Sequence, residues 1–282
     1  MTAQIIDGKK TAAQIRADLK AKIAALPSSP TLAIVLVGND DSSLIYVRNK
    51  QKAAAEIGLN TKLYHLPENS SEESVLKIID ECNDNSEVNG IIVQLPLPEH
   101  LHTHKIINRI LPTKDVDGFH PYNTGMLQNN EKPYFIAATP LGIMKLIQNY
   151  CPNLSGKNVV LIGASLIVGR PLATLMLNQE CTVTVTHIHT RNIEELTRKA
   201  DILVAACGVA KLVKADWIKS DSILIDVGIN RDNGKICGDI DFDDVIEKSA
   251  AITPVPGGVG PMTIAMLLQN TYDAYLIQHS AL

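Results

Sequence analysis

Seven apolar runs of strand length recur along the chain with helical patterns between them: TLAIVLV (31–37), NTKLYHL (60–66), GIIVQL (90–95), KNVVLIG (157–163), CTVTVTH (181–187), ADILVAA (200–206) and DSILIDVG (221–228). Spacings such as Ile15, Leu19 and Ile23, or Val75, Ile78 and Ile79, mark the intervening helices. A strand that returns through a helix cannot form a tight hairpin with the next strand; it must cross over and pair in parallel. Repeated crossovers build a parallel sheet covered by helices, so the expected class is α/β and doubly wound.

With 282 residues, 45% of them hydrophobic, the chain can bury about two domain cores without covalent staples. The alternation breaks between Pro112 and Pro140, a segment holding four of the 14 prolines, and long irregular stretches in compact proteins are functional or mark junctions. The expected domains are residues 1–137 plus 264–282, and residues 138–263. A second break, ITPVPGGVGPMT (252–263), precedes an apolar helix from about Ile264 to Ile277 that is expected to return to the first domain.

Composition excludes several classes. A net charge of −4, with basic residues scattered, gives no stripe for neutralising phosphate backbones, so no nucleic-acid partner is expected. Five cysteines without CxxC spacing argue against a disulfide framework and a zinc site, and no metal is expected. No apolar stretch approaches the ~20 residues that cross a bilayer, and the amphipathic start lacks a signal-type apolar region. A soluble, cytoplasmic protein without membrane partners is the expectation.

The run KNVVLIG leads into GASLIVGRPLATLML, a strand, a turn bearing Gly163 and Gly169, and a helix. That order suits a dinucleotide: a tight turn lets backbone N–H groups at the helix start face a pyrophosphate. The same glycines would equally serve close packing of helix on strand. Where NAD-preferring sites carry a ribose-binding acid, this chain reads VTHIHTRN, with no carboxylate before Glu194. Arg191, with Thr190 beside it, is a candidate for a 2′-phosphate, or simply a loop cation, and the missing acid favours NADP over NAD.

In IYVRNKQKAAAEIG (45–58), Tyr46, Lys50, Ala53 and Ile57 fall within about 60° on a helical wheel, which draws a lysine onto an apolar face. Its stem could cover the face while the ammonium reaches water, or the amine could be held for chemistry. Gln94 ends an apolar strand, and Asp115 and Asp117 open the irregular segment. Ligands in open α/β sheets collect at the carboxyl ends of strands. Read singly, Gln94 also suits a capping amide, and Asp117 before Gly118 an Asx-turn.

Together, S-x-x-Y-x-x-x-K at Ser43, Tyr46 and Lys50, then VQLPLP, KDVDGFHPYN, GASLIVGRP, DVGIN and PVPGGVGPMT resemble the bifunctional methylenetetrahydrofolate dehydrogenase/methenyltetrahydrofolate cyclohydrolase family. The resemblance runs from about Asp7 to the last helix. It implies two α/β domains flanking a cleft, the second a Rossmann-type doubly wound parallel sheet, assembled as a homodimer. It also implies NADP-dependent oxidation of 5,10-methylenetetrahydrofolate and hydrolysis of the methenyl product to 10-formyltetrahydrofolate, in the one-carbon metabolism that serves purine biosynthesis.

Carried over by position, the resemblance makes Lys50 the catalytic acid/base, Tyr46 its orienting partner near the pterin, Gln94 a contact of the lysine, and Asp117 the holder of the pterin ring. Ser43, Val93 and Leu95 would line the substrate, and Pro256, Gly257 and Gly258 would frame its entrance. Gly163, Ala164 and Ser165 would meet the NADP phosphates and ribose, and Ile229 the nicotinamide. Relatives often carry Arg where this chain has Ala164, which moves the 2′-phosphate to Arg191. Their PCTP reads AATP here. Partial burial would bring the lysine from about 10.4 towards the range of a general base. Rival readings are a dehydrogenase of similar plan acting on another small substrate and a silent folate- or dinucleotide-binding protein. A formate-activating P-loop, GxxxxGK[ST], is absent.

Overall fold

The computed structural model describes residues 2–232 and 234–279. Eleven strands lie among them: β1 (Gln4–Ile5), β2 (Thr31–Val37), β3 (Asn60–Leu66), β4 (Gly90–Val93), β5 (Asn158–Ile162), β6 (Thr182–Thr186), β7 (Ile202–Ala205), β8 (Ile223–Asp226), β9 (Asn230–Asp232), β10 (Lys235–Cys237) and β11 (Ala251–Ile252). Each of the seven apolar runs contains one. The chain forms two compact units: the stretch up to Ala12 with Thr139–Thr263, and Ala13–Ala138 with the chain from Ile264 onward.

The first unit carries a six-stranded sheet in the order β1-β11-β8-β7-β5-β6, parallel at every pairing. β7 and β8 are buried along their length, as strands covered on both faces must be. Val160, Ile162, Leu203, Ala205 and Leu224 form one core cluster with Ile240 and Val245. This is the expected doubly wound sheet.

The expectation that residues 1–137 share one domain is corrected at its start. β1 pairs with β11, Gln4 opposite Ala251 and Ile5 opposite Ile252, and Ala3 belongs to the sheet's core cluster. Two residues of strand carry no readable period, so the sequence pattern did not reveal them. The β9–β10 hairpin, three residues a side, escaped for the same reason.

In the second unit β2 lies between β3 and β4, parallel to both. β2 is buried from Leu32 to Val37, whereas β3 is largely exposed. Helix Asp41–Glu56 starts where Asp40 Oδ2 accepts Ser43 N at 2.8 Å, and helix Glu72–Asp84 where Ser71 Oγ accepts Ser74 N. The latter helix ends on a buried ammonium: Lys114 Nζ donates to the carbonyls of Cys82, Asn83 and Asn85 at 2.8–3.0 Å, satisfying groups that a helix terminus leaves open. The last helix, Val259–His279, begins earlier than the expected Ile264. No described helix is long and apolar enough to cross a membrane.

Candidate active site

The buried face of helix Asp41–Glu56 consists of Ser43, Val47, Lys50, Ala53 and Ala54. Lys50 retains 9% of its exposure, so its amine does not snorkel. Its Nζ donates to Gln94 Oε1 at 3.0 Å. Gln94 is fixed in turn: its N donates to Val35 O at 2.8 Å and its Nε2 to Leu95 O at 2.7 Å. The amide therefore does cap the following turn, and that local bond leaves its oxygen free to face the lysine. Burial lowers the Lys50 pKa from its ordinary value, with the Asp117 charge acting the other way. Burial raises the Asp117 carboxyl, and the Lys50 charge opposes that rise. The two feel each other electrostatically, although no ion pair joins them among the described residues.

Tyr46 is corrected in its placement. Expected on the apolar face, it is 40% exposed, although Lys50 and Ala53, which flank it on the helical wheel, are both buried. Its hydroxyl makes no hydrogen bond to Lys50 among the described residues, and partial burial raises its phenol pKa. Ser43 is 2% exposed, and its Oγ is buried without a hydrogen-bond partner. Leaving such a group unpaired costs about 1–3 kcal/mol, which suits a hydroxyl awaiting a ligand. Val93 is buried in a core cluster at 4% exposure, so its side chain is not open to a ligand. Leu95 is partly exposed.

Asp115, noted in the sequence but given no role, organises the irregular segment. Only 1% exposed, it accepts His120 N at 2.8 Å, Asn123 Nδ2 at 2.9 Å and Phe119 N at 3.3 Å. Burial nevertheless pushes its carboxyl up to about 7. The turn-forming duty considered for Asp117 thus falls to Asp115, which leaves the Asp117 side chain without a hydrogen bond among the described residues.

The first unit holds the remaining site residues. Gly163 (φ +118°) ends β5, and a Cβ there would stand 2.2 Å from Ala206 O; one on Gly169 would stand 2.0 Å from Gly163 O. Both glycines are demanded by packing, so by themselves they do not speak for a pyrophosphate. Ser165 Oγ accepts Val168 N at 3.2 Å and Gly169 N at 3.4 Å, capping the helix start and keeping only its own proton to donate. Ala164 O accepts Arg170 Nε at 3.2 Å. Arg191 is exposed and makes no side-chain bond among the described residues, whereas Thr190 Oγ1 is occupied by His187 N at 2.9 Å. Pro256 and Gly257 lie in the loop after β11, where Lys9 N donates to Gly257 O at 2.8 Å, and Gly258 follows them.

Sequence reading missed one feature. The four loops following β5, β6, β7 and β8 each expose apolar side chains: Leu166 and Ile167, Ile188 (93% exposed), Val209, and Ile229 (53%). Apolar residues just beyond the carboxyl ends of parallel strands were the available signal. They offer flat apolar contacts where α/β sheets bind ligands, and with the free Arg191 they fit a phosphorylated dinucleotide. No cluster of three or more His, Cys, Asp or Glu suited to a metal occurs among the described residues.

Two family descriptions match the chain: Tetrahydrofolate dehydrogenase/cyclohydrolase, catalytic domain, over residues 6–117, and the NAD(P)-binding domain of the same name over residues 137–279. The bifunctional protein FolD of Aquifex aeolicus is 50% identical over 277 residues, covering 97% of this chain and 95% of that protein. Among solved structures, the Campylobacter jejuni bifunctional FolD superposes with a TM-score of 0.96 at 46% identity, over 99% of this chain and 100% of that one. The Trypanosoma brucei enzyme, solved with NADP and an inhibitor, gives 0.95 at 36% identity over 100% and 99% of the two chains.

Proposed function

The chain belongs to the tetrahydrofolate dehydrogenase/cyclohydrolase family, and we propose that it oxidises 5,10-methylenetetrahydrofolate with NADP and hydrolyses the methenyl product to 10-formyltetrahydrofolate. The observation that carries the hydrolytic half is the buried Lys50 amine held 3.0 Å from Gln94 Oε1. An ordinary lysine is protonated at neutral pH and cannot take a proton. Burial favours the neutral amine, which then removes a proton from the water adding to the methenyl carbon and returns one to the ring nitrogen as the ring opens. Gln94 directs the amine without adding charge.

In the dehydrogenase half, bound NADP would supply the hydride acceptor, and the protein's part is alignment. Asp117 accepts hydrogen bonds from the pterin, Tyr46 lies against its ring, and the Ser43 hydroxyl and the Leu95 backbone complete the substrate contacts, with Pro256, Gly257 and Gly258 at the entrance. Gly163, Ala164 and Ser165 approach the phosphates, Ile229 the nicotinamide, and Arg191 the 2′-phosphate. That arginine favours NADP over NAD. The protein works in the cytoplasm as a homodimer supplying one-carbon units for purine biosynthesis; the exposed edge of β3, with Leu63 39% exposed, supports self-association.

The test is direct. Purified chain given methylenetetrahydrofolate should reduce NADP, followed by nicotinamide fluorescence, and should separately hydrolyse methenyltetrahydrofolate without nucleotide. Absence of both turnovers overturns the reading.

A further inference from the structure

Two buried carboxylates, at Asp226 and Asp239, hold the loop that exposes Ile229. Asp226 ends β8 at 3% exposure and Asp239 follows β10 at 0%. Asp226 Oδ1 accepts Gly228 N at 3.0 Å and Asp239 N at 2.9 Å, and its Oδ2 accepts Ile240 N at 2.9 Å. Asp239 Oδ1 accepts Asn230 Nδ2 at 2.8 Å, while its Oδ2 accepts Cys207 N at 2.7 Å and Gly208 N at 2.9 Å.

Ile229 is thus pinned on both sides, through the Gly228 backbone by Asp226 and through the Asn230 side chain by Asp239. The fit is tight: a Cβ on Gly228 would stand 2.1 Å from Asp239 Oδ1. Burying a carboxylate is costly unless every lone pair is used, and a plain turn between strands needs none. Here two are buried under one turn whose apex is an exposed apolar side chain, and Asp239 ties that apex to the Cys207–Gly208 turn after β7.

We propose that Asp239 is a positioning residue of the dehydrogenase step, fixing the Ile229 loop and the Cys207–Gly208 turn as one rigid surface for the nicotinamide ring. The proposal deepens the function assigned above and rests on it. Asp239 touches no reacting atom; it acts through the backbone it holds. All three groups bonded to its oxygens are donors, so an amide in its place must set its own NH2 against one of them and release part of the surface.

Asp239→Asn is the test, with hydrolysis of methenyltetrahydrofolate in the absence of nucleotide as the internal control. The expected result is a fall in kcat/KM for NADP on the order of 10²-fold, the cost of misplacing reacting groups by about 1 Å. A larger primary isotope effect from deuterated methylene substrate should accompany it, with hydrolysis unchanged. Asn230→Ala, which removes a single arm, should give a smaller loss of the same kind, and it decides the matter if Asp239→Asn does not fold. Unchanged dehydrogenase kinetics, or equal losses in both activities, overturns the proposal. A wild-type chain without dehydrogenase turnover would strike the assigned reaction itself, and is recognised before any substitution is made.

Discussion

Lys50 Nζ and Gln94 Oε1 stand 3.0 Å apart, a buried contact between residues 44 positions apart in sequence. It sets the direction of the lysine lone pair and predicts how each partner fails. Lys50→Met should lower cyclohydrolase turnover by about 10²–10⁴-fold while NADP binding is retained, measured by methenyl hydrolysis and by nucleotide titration. A variant hydrolysing at the wild-type rate removes the lysine from the mechanism.

Replacing the amide by a carboxylate tests the charge argument. Gln94→Glu places a negative charge beside the ammonium, which raises its pKa. The pH profile of hydrolysis should then move to higher pH, with activity partly recovered in alkaline buffer. An unmoved profile would mean that another group titrates.

Arg191 is exposed, and its side chain has no partner among the described residues. Arg191→Ala should raise the KM for NADP about tenfold, the worth of one charge-assisted contact, and leave that for NAD almost unchanged. Parallel changes for both nucleotides would reduce it to a general loop cation.

Asp115 and Asp226, each pushed up to about 7 by burial, bind their protons more tightly in the folded chain than in the unfolded one. Their contribution to stability is full below the unfolded value of about 4 and is lost as pH rises through about 7. Glu72 works in the opposite sense: hydrogen bonds from Lys105 and His102 hold it near about 2, so its contribution is lost as pH falls from about 4.5. Urea midpoints should therefore fall between pH 4 and 7, and Asp115→Asn should flatten that slope while lowering stability throughout. A slope unaffected by the substitution rejects the assignment to Asp115.

Gly169→Ala puts a methyl group 2.0 Å from Gly163 O, backbone against backbone, where little can yield. A cost of about 1–3 kcal/mol is expected for such overpacking, read as a drop in Tm together with weakened NADP binding. Wild-type values for both would show that the turn tolerates a side chain.

How much of this was legible in the sequence depended on length and on burial. Strands such as β2 and β7, buried along most of their length, write unbroken apolar runs; β1 and β11, two residues each, write nothing. The helical wheel found Lys50 on the buried face but misplaced Tyr46, since angle alone does not decide burial. DVDG marked its second aspartate through the family resemblance, whereas the work of the first, Asp115, depends on three donors that only the folded loop brings together. Ile229 was marked through the family resemblance, whereas Ile188 showed as an ordinary apolar letter until the fold left it uncovered.

The pairing of β1 with β11 has a consequence for the order of assembly. An edge of the six-stranded sheet is supplied by Gln4 and Ile5, whose partners are Ala251 and Ile252. A chain growing from its amino end makes that strand before β5, β6, β7 and β8 and long before its own neighbour, so this edge of the sheet closes only once β11 has been synthesised. The piece made early is the last to find its place.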